Sequence, residues 1–167
     1  MSERNSADGQ RDWANERAII EAHAGDRIAL LVDSFHRLAG RPLISDQGNL
    51  AENLWALPSV VVAHATGHDP VFFYANRAAL SLFEASAQDF IRMPSRFSAE
   101  PVERSERARF MAKVRQENII ADYRGIRISR TGRRFAIERA IVWNLVDEAG
   151  LIHGQAATFA EWTPLPA

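Results

Sequence analysis

Polar side chains spaced along one face of an otherwise apolar strand can bind a ligand. Tyr123, Arg127 and Ser129 in DYRGIRIS (122–129) have that spacing. Successive strand residues point to opposite faces, so these three share one. The same alternation places Phe135, Ile137, Arg139, Ile141 and Trp143 together on RRFAIERAIVWNLV (133–146). An arginine in such a row sits at an edge or meets a buried partner. Gln155, in HGQAATF, is a further polar residue in an apolar strand. The structural alternative is that Arg127 and Arg139 pair across the sheet with Asp122 or Glu138, which adds little to function.

Catalysis needs poised groups within reach of each other. Ser59, Ser95 and Ser129 lie in no nucleophile elbow, and G-x-S-x-G does not occur. Asp122 and Glu138 are the candidate carboxylate pair, but both fall in strands of unfixed register. No enzyme is expected. His64 and His68 stand four apart across a strand and a turn, and no third ligand accompanies them, so no metal site is expected. His153 is alone in a strand and reads as structural. Cysteine is absent, which removes disulfides and thiolate chemistry.

The elements that hold these residues follow from apolar spacing and breakers. Residues 11–39 read as helix, with Ile28, Leu31, Phe35 and Leu38 on one stripe. Gly25-Asp26 is a candidate break, and Gly40 followed by Pro42 is a stop. LAENLWAL (50–57) repeats the helical pattern until Pro58. SVVVAHA (59–65) and VFFYA (71–75) form a hairpin across TGHDP. Asn76 then caps RAALSLFE, its side-chain oxygen accepting from the amide of Ala78 or Ala79, so strand passes into helix without a loop. Residues 86–101 carry two prolines and read as short turns. A longer helix follows over 102–118, with Val102, Phe110 and Val114 inward. Three strands close the chain, over 122–129, 133–146 and 151–162, with Gly132 and Gly150 in their turns.

At 167 residues with 47% hydrophobic and 25% charged residues, the chain has the length and composition of one soluble globular domain. No apolar run approaches the ~20 residues that cross a bilayer. MSERNSADGQRDW has no apolar stretch of the secretory kind, so a cytoplasmic location without membrane attachment is expected. The net charge is -1, yet residues 92–139 hold thirteen Arg/Lys against six Asp/Glu, and 140–167 hold no lysine or arginine. Interleaved Glu100, Glu103, Glu106 and Glu117 favour a solvated helix face over a surface for an anionic partner, and nucleic acid is not expected.

A hairpin, Y-A-N-x-A-A-x-x-L-F, a long helix, G-x-R-x-x-x-x-G-R-R-F and a closing strand form an order that resembles a PAS domain. More narrowly, PVFFYANRAALSLFE, PSRFSAEP, GIRISRTGRRFAIERAIVWNLVDEAG and HGQAATF are similar to bacterial members of the MEKHLA domain family. That family is related to PAS domains and also forms the C-terminal domain of plant class III homeodomain-leucine zipper proteins. The six letters of its name do not occur here, nor does a homeodomain or zipper, so DNA binding is not carried over. The resemblance spans about Ile28 to Trp162.

The resemblance implies a sensory or regulatory module. It implies an α+β fold, a PAS-like five-stranded antiparallel sheet with helices on one face. Both parities of VFFYA are apolar, so the N-terminal helices and LAENLWAL are expected to cover the other face. The division is a flexible tail over 1–10, a helical extension over 11–57 and a core over 58–163. A small ligand between sheet and helices would meet Phe73, Asn76, Phe83, Arg96, Tyr123, Arg127, Trp143 and Gln155. No cofactor is named. Without cysteine, the covalent flavin and coumaroyl chemistries of PAS photosensors are excluded, and residues 102–118 lack the histidine that often holds haem. Noncovalent flavin, haem held from elsewhere and a small metabolite stay open. The alternative is a protein-interaction or dimerisation module with a filled core. No output domain is visible, so a signal is expected to pass through a signalling partner or a change of assembly. Trp13, Ile19, Ile20 and Ala24 do not continue the stripe of residues 28–38, which suggests a homodimer through the N-terminal helix.

Overall fold

The structure is a computed structural model that describes residues 9–100 and 104–166. The expected inward position of Val102 and residues 1–8 of the expected tail fall outside that range. The N-terminal helix divides at Gly25, whose φ of 56° few other residues tolerate. Helix α1 (Trp13–Ala24) starts where Asp12 accepts from the Asn15 amide at 3.1 Å. Helix α2 (Arg27–Ala39) ends at the left-handed Gly40, and α3 (Leu50–Ala56) is capped by Asn49.

Six antiparallel strands follow among the described residues. They are β1 (Val60–Ala65), β2 (Phe72–Ala75), β3 (Ile119–Ile128), β4 (Arg134–Val146), β5 (Ile152–Phe159) and β6 (Glu161–Pro164), ordered β2-β1-β5-β4-β3. The sixth arises because the expected last strand breaks at Ala160. Its first part pairs with β1 and the end of β4, and β6 then pairs with the start of β4. Between β2 and β3 run α4 (Arg77–Phe83), α5 (Ala87–Phe90), a 3-10 turn (Ser95–Ser98) and α6 (Arg104–Glu117).

Residues directly opposite across antiparallel strands share a face, so the register assigns both faces. Tyr74, Ala63, Ala156, Trp143 and Ile119 form one row. This outer face meets α2. The Phe35 ring lies edge-on to Trp143 at 4.9 Å, and Trp143 Nε1 donates to the Leu31 carbonyl at 3.3 Å. The adjacent row, Ala75, Val62, Ala157, Val142 and Ile120, faces inward, and Val114 and Phe110 of α6 pack on it. The N-terminal helices therefore cover the outer face, with one correction. Helix α3 packs against α4. The Asn76 side chain holds it there through the carbonyls of Leu54 in its last turn and of Leu57 and Ser59 beyond it.

A second correction concerns β4. Arg139 (φ 55°) and Asp122 (φ 60°) take left-handed conformations where the β3–β4 register slips. One extra residue reverses the parity of everything beyond it. Phe135 and Ile137 consequently do not share a face with Trp143. Phe135 turns inward to Phe83 of α4, 5.4 Å between rings, while Trp143 points out to α2.

Candidate functional site

Next to the inner apolar row stands a polar one. His64 lies opposite Gln155, and Gln155 opposite Asn144. Strands β1 and β5 come close here because Gly154 (φ 156°) has no side chain. A Cβ there would sit 2.3 Å from the His64 carbonyl oxygen. Asn144 is 4% exposed and donates from Nδ2 to the Val114 carbonyl and to Asn118 Oδ1, both at 3.1 Å. It thereby ties the end of α6 to the sheet. Gln155 Nε2 donates to Asn144 Oδ1 at 3.5 Å. His64 Nδ1 lies 2.9 Å from the Ala65 carbonyl, which assigns the proton to that nitrogen. Burial pushes the His64 imidazole below its ordinary pKa, outweighing bonds to Ala65 and Gln155 that act the other way. The row is thus neutral near pH 7, with two amides and an imidazole on an apolar wall.

Along the same face lie Tyr123 and Arg127. The Phe110 ring packs tilted against that of Tyr123, 4.3 Å between ring centres. Arg127 Nη2 donates to Tyr123 Oη at 3.3 Å, its guanidinium lies 5.4 Å from the Tyr123 ring centre, and Nη1 donates to the Ile126 carbonyl. Gly125 leaves room for this. A Cβ on it would meet Tyr123 Oη at 2.8 Å and Arg127 Nη1 at 3.1 Å. Opposite Arg127, Gly125 and Tyr123 stand Phe135, Ile137 and Ala140.

The structure brings Tyr123, Arg127 and Gln155 to one face and takes the other expected residues away from it. Asn76 is fully buried and committed to backbone. Its Oδ1 accepts from the amides of Val61 and Ala79, and its Nδ2 is shared among the carbonyls of Leu54, Leu57 and Ser59. Trp143 belongs to the outer face. Phe73 lies under the Arg27 guanidinium, 4.1 Å from its ring. Phe83 fills the core beside Phe90 and Phe135. Arg96 is exposed, paired with Asp69 at 3.0 Å. Ser129, expected beside Arg127, is bonded to Glu84. Arg139 pairs with Glu161 at 3.3 Å, neither with Asp122 nor with Glu138.

Asn144 and His64 were not recognised from sequence as site residues. Their signal lies in the register that aligns them with Gln155, which no single strand displays. Among the described residues, no group of three His, Asp or Glu side chains is arranged for a metal. Two surface concavities lie elsewhere. One, of about 410 Å³, is lined by Leu30, Asp33, His36, Arg37, Asp147 and Glu148. The other, of about 400 Å³, lies between Trp13 and Trp55.

Comparison with known proteins agrees with this architecture. The chain is 27% identical over 139 residues to the homeobox-leucine zipper protein HOX10 of Oryza sativa subsp. indica, covering 78% of this chain and 16% of that protein. The chain thus spans about a sixth of the length of that curated relative. Its fold is similar to the PAS domain of a protein from Colwellia psychrerythraea, with a TM-score of 0.56 and 12% identity over 69% of this chain and 92% of that one. It is also similar to a light-oxygen-voltage domain studied with a flavin analogue, with a TM-score of 0.54 and 14% identity over 72% and 87%. At such identities the likeness is one of fold. The match to the MEKHLA domain runs over residues 26–164, and the chain belongs to that family.

Proposed function

We propose that this chain is a PAS-like sensory or regulatory module, cytoplasmic and without catalytic activity, that binds a small molecule on the inner face of its sheet beneath α6. The row His64–Gln155–Asn144 carries the reading. Ligand sites are mostly apolar walls with a few convergent hydrogen-bonding groups, and this row supplies such groups beside Val62, Val142 and Ala157. Neutral amides and a neutral imidazole suit a flat, uncharged polar edge. A flavin is one such molecule, the light-oxygen-voltage neighbour having been studied with a flavin analogue, and it would bind noncovalently because the chain has no cysteine. Its signal would pass to a partner protein or change the assembly. Among the described residues, no helix is long and apolar enough to cross a membrane.

Native mass spectrometry and an absorbance scan on protein purified from cells test the proposal. An adduct mass is expected, and so is its loss in Gln155→Leu. A bare chain, together with a fragment screen by NMR that perturbs no amide of the inner strands, would overturn it. One observation favours the alternative of an interaction module with a filled core. Under α4 and α5 the space is packed with rings, Phe72 on Phe90 at 4.3 Å and Phe83 against Phe90 and Phe135. That reading gives a bare chain in the same experiment.

A further inference from the structure

A ligand on the row His64–Gln155–Asn144 has to pass α6. Val114 packs on Val142 and Ile120, and Phe110 lies against the same cluster with Tyr123 and Ala157. These side chains occupy the apolar wall beside the polar row, so a molecule bound there takes their place. One end of α6 is pinned. Asn118 (φ 62°) turns the chain from helix into β3, its amide donates to the Val114 carbonyl at 2.8 Å, and its own carbonyl accepts from the Asn144 amide at 2.8 Å. Asn144 Nδ2 adds its bonds to Val114 and Asn118 at the same place. The rest of the helix is held thinly. Half of its fourteen residues carry charge, and among the described residues Val114 is its one buried side chain, with Phe110 and Met111 half-buried. A helix that polar has little intrinsic hold on an apolar sheet. Helix α2, by contrast, buries Ile28, Leu31 and Phe35. Ion pairs fasten the end of α4 through Glu84 and Arg133 and α5 through Asp89 and Arg130, whereas among the described residues none joins α6 to the rest of the chain.

We infer that α6 is a lid hinged at Asn118, which opens as a unit short of global unfolding and admits a small molecule to the row beneath it. This rests on the small-ligand reading above and adds the route by which the ligand enters. Elements with few buried apolar contacts are those that open locally, at a free energy well below that of the whole domain. Opening uncovers Val142, which is 5% exposed in the closed chain. It leaves the outer face covered, where Val61 lies fully buried two residues along the strand from Ala63.

The chain has no cysteine, so a single introduced thiol reports the opening of its own site without background. Val142→Cys and Val61→Cys are prepared separately in the full chain and labelled with dithiobis(nitrobenzoate). The thiol of Val142→Cys is expected to react at least about tenfold faster than that of Val61→Cys, the difference between a local and a global opening. Its rate should stay flat in urea below the unfolding transition, because lifting one helix exposes little surface, while the rate for Val61→Cys climbs steeply. Adding Val114→Ala removes the buried anchor and should speed labelling at position 142 further, still without urea dependence. Should either cysteine variant fail to fold, amide hydrogen exchange on the unaltered chain supplies the test. A detached helix of this length is marginal in water, so the Val114 amide should exchange well ahead of the Phe35 amide of α2. Equal labelling rates with the same steep urea dependence, or equal protection of the two amides, would overturn the lid. An adduct in the native mass spectrum would then still uphold the ligand-binding reading, and a bare chain with fast labelling at position 142 would overturn that reading while leaving α6 a helix that opens.

Discussion

At the scale of single residues, Asn76 shows how a side chain can be read correctly for one atom and missed for another. Its oxygen caps α4, as strand running directly into helix requires. Its nitrogen faces the carbonyls of Leu54, Leu57 and Ser59, tying the segment after α3 to the start of β1. As a cap alone, alanine would cost ~1 kcal/mol and aspartate less. The structure reverses that order. Asn76→Asp keeps the acceptor but turns a carboxylate toward three carbonyl oxygens, so it should destabilise at least as much as Asn76→Ala, each by about 2–4 kcal/mol in urea unfolding. An aspartate variant within about 0.5 kcal/mol of wild type would show that the amide donors contribute nothing. His64 predicts a pH dependence. Burial holds its folded pKa below the ordinary 6.5, so the unfolded chain takes up the proton first. Stability is then full above about pH 6.5 and is lost as pH falls from there toward the lower folded pKa. His23 is shifted the same way, by burial and then by Arg27, and contributes with the same sign. Thermal melts across about pH 7.5 to 5.5 should therefore flatten in His64→Gln relative to wild type, more than the background left by His23. An unchanged slope would mean that the imidazole is solvated in the folded chain.

At the scale of elements, the sequence was legible where one local rule decides and illegible where two strands decide together. Gly25, Gly40 and Pro58 interrupt helices through their own backbone chemistry, and α1, α2 and α3 end beside them. The hairpin of β1 and β2 and the entry into α4 were equally local. Alternation failed on β4, because counting by two assumes an unbroken ladder and Arg139 interrupts it. Arginine is a poor advertisement for a left-handed residue, so nothing in RRFAIERAIVWNLV marks the place. Trp143, expected at the ligand, therefore faces outward, and its indole anchors α2. The break at Ala160 was hidden in the same way. Its cause is that β1 and β5 reach one end of the long β4 while the other end needs a partner, which β6 supplies. Of the eight expected ligand residues, those brought to one inner face are the polar strand residues Tyr123, Arg127 and Gln155. The aromatic ones, Phe73, Phe83 and Trp143, are held in the packed interior, where large apolar side chains usually belong.

At the scale of the whole molecule, the N-terminal helix changes the argument about assembly. Trp13, Ile20 and Ala24 needed an apolar surface, and a second copy was the expected one. The structure supplies that surface within the chain. Ile20 is fully buried and Ala24 nearly so, with α1 laid against β2 and α5, and Trp13 set edge-on to Trp55 of α3. Polar contacts fix the same docking. Arg11 donates to the carbonyls of Leu80 and Ala85 near the end of α4, and Glu16 accepts from the Ala87 amide at the start of α5. Each charge has the sign that its helix end favours. Helix α1 lies before the family match at residues 26–164, yet it fastens two of the helices that flank the inner face. Substitution at Ile20 should therefore act through folding. Ile20→Glu places an unpaired carboxylate where a buried side chain worth ~1.5–3 kcal/mol had been, so stability should fall by about 3 kcal/mol or more in urea unfolding. Light scattering under native conditions should give the folded variant the same mass as wild type. Unchanged stability with conversion of a dimer to a monomer would show instead that Ile20 faces a second copy and that α1 does not dock as described.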